Sequence, residues 1–241
     1  MLVCLDPGHG GYDPGATGPS GLKEKDVNLE VALKTGSYLE RARVGVIFTR
    51  NSDQVPWPAD KNKDLAARCE IANKAGTDLF VSVHCNGAND PKANGTETYS
   101  FSDTGPGADA AKLVQAELLE ALKLRDRGTK TARFYVLRHT VMPAVLTELA
   151  FISNPHEEHL LALPGARTIM ARAIARAAAR HFGVELPEEE PRLVINGRPA
   201  LGVPFKIVDG KTWVELRSFV EAIGGTVQWD ERTKTVNVTT R

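Results

Sequence analysis

Short apolar runs alternate with longer amphipathic ones over the first three quarters of the chain. Residues 2–5, 44–48, 79–83, 97–101 and 144–149 are brief apolar or β-prone runs, which predicts strands. Between them, residues 26–41, 65–74 and 109–124 carry apolar side chains three and four positions apart, and an alanine-rich run at 166–182 ends at Gly183; these predict helices. Strands separated by helices imply an α/β domain whose sheet lies between helical layers. Arg172, Arg176 and Arg180 recur every four residues opposite Ile169, Ala173 and Ile174, the pattern of a solvated helix face rather than of a nucleic-acid surface.

The pattern changes at residues 184–191, where Glu185-Leu186-Pro187-Glu188-Glu189-Glu190-Pro191 is acidic and bracketed by prolines. This predicts a linker between a first domain, 1–183, and a small α+β domain, 192–241. In the second domain Asn196-Gly197 and Asp209-Gly210 are hairpin-turn pairs, residues 216–223 form a short amphipathic helix stopped by Gly224-Gly225, and 226–229 with 235–238 read as a final hairpin. Trp213, Trp229 and Phe219 are candidates to stack on sugar rings, although so small a unit needs one or more of them for its core.

Composition narrows the function classes. The 241 residues hold 30 Lys+Arg against 30 Asp+Glu, so no global field draws the protein onto DNA or anionic lipid. No run approaches the roughly 18–20 apolar residues of a membrane span. Cys4, Cys69 and Cys85 show no metal-ligand spacing and are expected to be buried thiols. The opening Met1-Leu2-Val3-Cys4-Leu5-Asp6 shows neither the charged nor the apolar region of a secretory signal.

Two histidines carry the first chemical signal. His9 follows the first strand in Asp6-Pro7-Gly8-His9-Gly10-Gly11, and His84 follows the third in Val81-Ser82-Val83-His84-Cys85-Asn86. Strand C-termini are where open α/β sheets bind ligands, so two imidazoles there can converge on one metal ion. Glu24, at the threshold of the first helix, supplies a third ligand. Two histidines and a glutamate form a catalytic zinc set that leaves a position for water. The glycines around His9 lack the companions of a phosphate loop. Glu148 interrupts an apolar strand, so it either faces the cleft as a general acid/base or pairs with an arginine such as Arg50 or Arg138. Asp6 and Asn86 are candidates to support the ligands or to shape the turns.

These segments, DPGHGG, GLKEKDVNLEVA, SVHCN and AVLTELAFISN, resemble in order and spacing the four motif blocks of zinc-dependent N-acetylmuramoyl-L-alanine amidases of the amidase-3 type. The resemblance implies a mixed central sheet flanked by helices on both faces, Zn2+ bound by His9, Glu24 and His84, and Glu148 as general acid/base. It also implies hydrolysis of the amide joining N-acetylmuramic acid to L-alanine in peptidoglycan. The 64 positions from His84 to Glu148 accommodate a strand, one helix and short loops but no plugging helix, so activity without a releasing partner is expected. The tail resembles the small domain named for the N-terminal region of copper amine oxidases. It contains no histidine or cysteine for copper, so a wall-binding or spacing role is expected.

Two other readings remain at this stage: a zinc peptidase or deacylase on another cell-wall peptide, and a non-catalytic wall-binding module. A nucleic-acid partner is not expected, and the protein is expected to be a monomer. A secreted, extracytoplasmic enzyme with its signal removed is the favoured location, with a phage lysin as the alternative.

Overall fold

The computed structural model describes residues 1–187, 194–195, 198–199, 203–209 and 211–240. Backbone contacts divide the chain into two units, Met1–Pro187 and Glu188–Arg241. The linker prediction at 188–191 and the Asn196-Gly197 turn lie outside the described residues.

The first unit is built on β1 (Leu2–Pro7), α1 (Glu24–Arg41), β2 (Gly45–Phe48), α2 (Lys61–Ala75), β3 (Leu79–Asn86), β4 (Thr96–Ser100), α3 (Pro106–Leu122), β5 (Asp126–Thr131), α4 (Tyr135–His139), β6 (Ala144–Phe151), α5 (Pro155–Ala162) and α6 (Pro164–His181). Six strands form one sheet in the order β2-β1-β3-β6-β4-β5. The neighbours β2, β1, β3 and β6 run parallel, β4 is antiparallel to β6, and β5 is parallel to β4. This is the mixed sheet, with helices on both faces. The major core, with Val3, Leu5, Val81 and Val83 from the sheet, packs beneath α1, α3 and α6. A smaller cluster around Cys4, Phe80 and Leu146 packs beneath α2 and α4. All three cysteines are buried and free, with Cys4 and Cys69 in the smaller cluster and Cys85 in the major one.

Helix ends follow their local chemistry. Asp60 caps α2 by accepting from the Lys63 N–H at 2.9 Å, and Gly76 closes it in the left-handed conformation. Asn154 caps α5 by accepting from His156 and Glu157, with Pro155 at the first helical position. Three elements differ from the sequence reading. β5 has almost no apolar pattern because it is an edge strand, α4 is a single turn or so, and α5 is too short to show a helical period. The arginine stripe of α6 is also not simply solvated: Arg176 and Arg180 reach Glu117 of α3 at 3.2 and 2.7 Å, while Ile169 is exposed.

The second unit contains β7 (Val194–Ile195), β8 (Arg198–Pro199), β9 (Phe205–Val208), β10 (Lys211–Val214), α7 (Leu216–Ala222), β11 (Thr226–Asp230) and β12 (Thr235–Thr239). The strands pair as three antiparallel ladders, β7 with β8, β9 with β10 and β11 with β12. Its buried residues include Val203, Val220 and Val227, not the tryptophans: Trp213 is 58% and Trp229 51% exposed. Of the three aromatic residues from which one or more was expected in this core, the two tryptophans are exposed and Phe219 is half-buried.

The end of β1 is fixed by a buried charge network. Asp6 accepts from Thr49 Oγ1, Ser82 Oγ and Arg68 Nη1 at 2.6, 2.7 and 2.8 Å. Arg68 also bonds Asp64 at 2.6 Å and donates to the carbonyls of Pro7 and His9. Breaking a buried pair leaves an uncompensated charge, so Arg68→Met is expected to destabilise the first unit by about 3–5 kcal/mol. Urea unfolding followed by circular dichroism checks this; a loss below about 1 kcal/mol, the range of an exposed pair, would contradict it.

Candidate metal centre

The site forms where β1, β3 and β6 end and α1 begins. Beyond Pro7 the backbone turns sharply, and His9 takes a left-handed φ of 62°. Two guanidiniums hold that turn. Arg50 donates to the carbonyls of Pro7, Gly8 and Lys25, and Arg68 to those of Pro7 and His9, all at 2.7–3.0 Å. With its carbonyls gathered beneath the turn, the loop presents the His9 ring to the cleft. Arg50 is therefore occupied by backbone, and the expected alternative of an Arg50–Glu148 salt bridge does not form.

Glu24 is the first residue of α1 and is only 4% exposed. Its Oε1 lies 3.1 Å from His9 Nε2 and 2.9 Å from His84 Nδ1, and accepts from the Cys85 N–H at 3.0 Å. Its Oε2 accepts from the Ala16 N–H at 2.8 Å. One nitrogen or oxygen from each of His9, Glu24 and His84 falls within 4.8 Å of the others, a group able to hold a metal ion. Tetrahedral zinc with bonds of about 2.0–2.1 Å requires ligand atoms about 3.3 Å apart, close to the observed separations. The imidazole–carboxylate–imidazole set fits zinc chemically as well.

The crowding around this trio accounts for two glycines. A Cβ on Gly8 would lie 2.2 Å from His84 Cε1, and one on Gly15, at φ 67°, would lie 2.6 Å from Glu24 Oε2 and 2.7 Å from His9 Cδ2. Asp13, which the sequence reading missed, accepts from His9 Nδ1 at 2.7 Å. That bond places the His9 proton on Nδ1 and leaves Nε2 for a metal. The detectable signal was a carboxylate four residues after a glycine-flanked histidine. Asp6 is 1% exposed and serves the buried network rather than the ligands. Asn86 donates to Glu97 at 2.7 Å.

Glu148 lies in register with His84 on the neighbouring strand. The residue as a whole is half-buried, yet Oε2 is buried with no hydrogen-bond partner. The reason lies one strand away. Glu97, in register with Glu148 on β4, accepts from Tyr99, Arg127 and Lys130 as well as Asn86, so it engages the neighbouring cations itself. Although burial opposes ionisation of Glu97, Lys130 and its other donors hold the carboxyl down at about 2. A cavity of about 290 Å³ opens over this face, lined by His9, His84 and Glu148 on one side and by Phe134, Tyr135 and Val136, at and beside α4, on another. These aromatic wall residues were also missed, because α4 carries no readable period.

Charge around the trio is strongly coupled. Burial disfavours the His9 cation, but Glu24 and then Asp13 outweigh it and raise the imidazole to about 9. Burial likewise works against the Glu24 anion, but His84 and then His9 hold the carboxyl well below the usual carboxylate range. Desolvation pushes Glu148 the other way, to about 7.

Comparison with known proteins accords with this geometry. A family model described as N-acetylmuramoyl-L-alanine amidase matches residues 3–180, and one described as copper amine oxidase N-terminal domain matches residues 175–238. The sporulation-specific N-acetylmuramoyl-L-alanine amidase of Bacillus subtilis (strain 168) is 36% identical over 188 residues, covering 77% of this chain and 69% of that protein. The endolysin of Bacillus phage SPP1 is 36% identical over 226 residues, covering 88% of this chain and 79% of the other. The solved catalytic domain of CwlV, an N-acetylmuramoyl-L-alanine amidase from Bacillus (Paenibacillus) polymyxa var. colistinus, superposes with a TM-score of 0.70 at 33% identity, covering 77% of this chain and 99% of that one.

A pH prediction follows from Glu148. The unfolded carboxyl ionises near 4.5 and the folded one near 7, so between these values the native state holds the extra proton and stability falls as pH rises. In metal-free protein, the stability of the wild type relative to Glu148→Gln is expected to decline from pH 4.5 to pH 7 and then level off. Chemical denaturation across that range checks it; a flat difference would contradict the burial of an ionisable Glu148.

Proposed function

The chain belongs to the Amidase_3 family of N-acetylmuramoyl-L-alanine amidases, hydrolases of peptidoglycan, and from that premise we propose how its own residues carry the reaction. The bond cleaved joins N-acetylmuramic acid to L-alanine of the stem peptide. We assign Zn2+ as the resident cofactor, with His9, Glu24 and His84 as its protein ligands. The observation that carries this assignment is the convergence of two imidazole nitrogens on one buried carboxylate oxygen at 2.9 and 3.1 Å.

Zinc held by His9, Glu24 and His84 would supply Lewis-acid chemistry, carbonyl polarisation and activation of water near neutral pH. Asp13 holds the His9 ring in the tautomer that offers Nε2, and the Cys85 and Ala16 N–H groups fix both oxygens of Glu24. Glu148 takes a proton from the attacking water and returns it to the departing amine of L-alanine. Its unpaired Oε2 and its upward shift to about 7 suit a group that must accept and release a proton near neutrality. The aromatic wall beside α4 excludes water from one flank of the substrate.

The first domain, residues 1–183, carries this chemistry without a releasing partner, because the segment between His84 and Glu148 places no helix across the trio. The acidic, proline-bracketed sequence at 184–191 supports a linker there, although Val184 and Leu186 pack against the core of the first unit. The domain at 192–241 presents Trp213 and Trp229 to solvent, which supports contact with wall polymer and spacing from it. The protein works as a monomer, outside the cytoplasmic membrane. Among the described residues no helix is long and apolar enough to cross a membrane.

Mass spectrometry of fragments released from purified peptidoglycan tests the reading. The chain alone, with zinc, is expected to release stem peptides with a free N-terminal L-alanine. Chelation is expected to abolish release, and Glu148→Ala to slow it by at least about 100-fold. Cleavage inside the stem peptide would overturn the assignment of the bond cleaved in favour of a peptidase, with the metal site standing.

A further inference from the structure

Helix α5 carries two adjacent carboxylates, Glu157 and Glu158, exposed by only 5% and 2%. Neither makes an ion pair among the described residues, although a buried carboxylate without a counter-charge costs several kcal/mol unless hydrogen bonds replace its water. Each is satisfied by backbone. Glu157 accepts from the N–H groups of Gly95 and Phe151 at 2.7 and 2.6 Å, tying the start of β4 to the end of β6. Glu158 reaches across 138 residues to Ser20, whose N–H lies 2.9 and 3.0 Å from its two oxygens, and accepts from Leu22 at 3.3 Å.

The loop it grips leads straight into Glu24. Gly18 and Leu22 bond across it, Thr17 bridges Lys23, and the Glu24 N–H donates to the Ala16 carbonyl at 2.9 Å. Ala16 in turn donates its N–H to Glu24 Oε2. Among the described residues, no other side chain from outside this loop hydrogen-bonds residues 17–23. The contact is also sterically exclusive: a Cβ on Gly18 would lie 2.2 Å from Glu158 Oε1 and 2.7 Å from the Ile152 carbonyl. Asn154 fixes α5 itself, its Oδ1 accepting from His156 and Glu157 and its Nδ2 donating to the Ala93 carbonyl.

We propose that Glu158 is a positioning residue for the metal centre, setting the loop at 16–23 so that Glu24 meets His9 and His84 in ligand geometry. The proposal rests on the assignment of Glu24 as a zinc ligand. The Glu158 carboxylate belongs to neither the trio nor the cavity lining, and it acts through the backbone N–H groups of Ser20 and Leu22.

Zinc affinity of the full chain, measured by competition with a chromophoric chelator, tests it together with amide hydrogen exchange. Glu158→Gln and Gly18→Ala are expected to weaken zinc binding by about 10–100-fold, as loss of a group supporting a ligand does, with faster exchange at Ala16 and Glu24. Glu157→Gln, on the same helix and equally buried, is expected to keep wild-type affinity. An equal loss in Glu157→Gln would reduce α5 to general stability and overturn the proposal. Should Glu158→Gln fail to fold, Gly18→Ala, which retains every charge, decides. Glu24→Ala separates the two levels: if it binds zinc like the wild type, the ligand assignment is wrong. If it loses zinc while Glu158→Gln and Gly18→Ala do not, only the positioning role falls.

Discussion

One carboxylate oxygen sets the terms for the cleft: Glu24 Oε1, buried between the nitrogens of His9 and His84. An ionised carboxylate at that depth requires positive charge or hydrogen-bond donors in place of its water, and Glu24 has both imidazole partners and the N–H groups of Cys85 and Ala16. Without a metal the His9 imidazole, raised to about 9, supplies such charge, and hydrogen bonds from His84 and His9 hold Glu24 low. A divalent cation answers the same demand with more charge, and its ligands must release their protons to bind it. The trio is thus an arrangement in which protons and metal compete for one pocket.

The rest of the first unit delivers these three groups from distant places in the chain. Parallel strands β1 and β3 end side by side and bring His9 and His84 together, and the antiparallel β4 sets Glu97 beside Glu148. Arg50 and Arg68 spend their donors on the carbonyls of the His9 turn, and Arg127 and Lys130 spend theirs on Glu97. Four cations lie near the cleft, yet Glu148 Oε2 remains unpartnered. That division of partners leaves a carboxylate clasped by two imidazoles and a carboxylate oxygen without a partner on a single sheet edge.

The sheet strands and long helices were legible because their apolar periods are long and regular, and the convergence of His9, Glu24 and His84 was legible because histidine beside glycine at a strand end has few structural uses. Helix α1 begins two residues before its apolar pattern, since Glu24 opens the first turn and carries no hydrophobic signal. β5, α4 and α5 were not legible: an edge strand written DRGTKT and helices of five and eight residues lack a period to read. With them went Arg127, Lys130, the aromatic wall and Glu158. Asp13 was hidden differently, because its role depends on the left-handed turn at His9, which only the folded backbone reveals. In the second unit the two tryptophans proved exposed, and of the three aromatic candidates for its core only Phe219 is half-buried.

X-ray absorption at the zinc edge of the purified full chain tests the central claim most directly. The account predicts one zinc per chain, in a shell of two imidazole nitrogens, one carboxylate and an oxygen from water, with no sulfur. Sulfur in the shell, or an unchanged spectrum in His84→Ala, would contradict it.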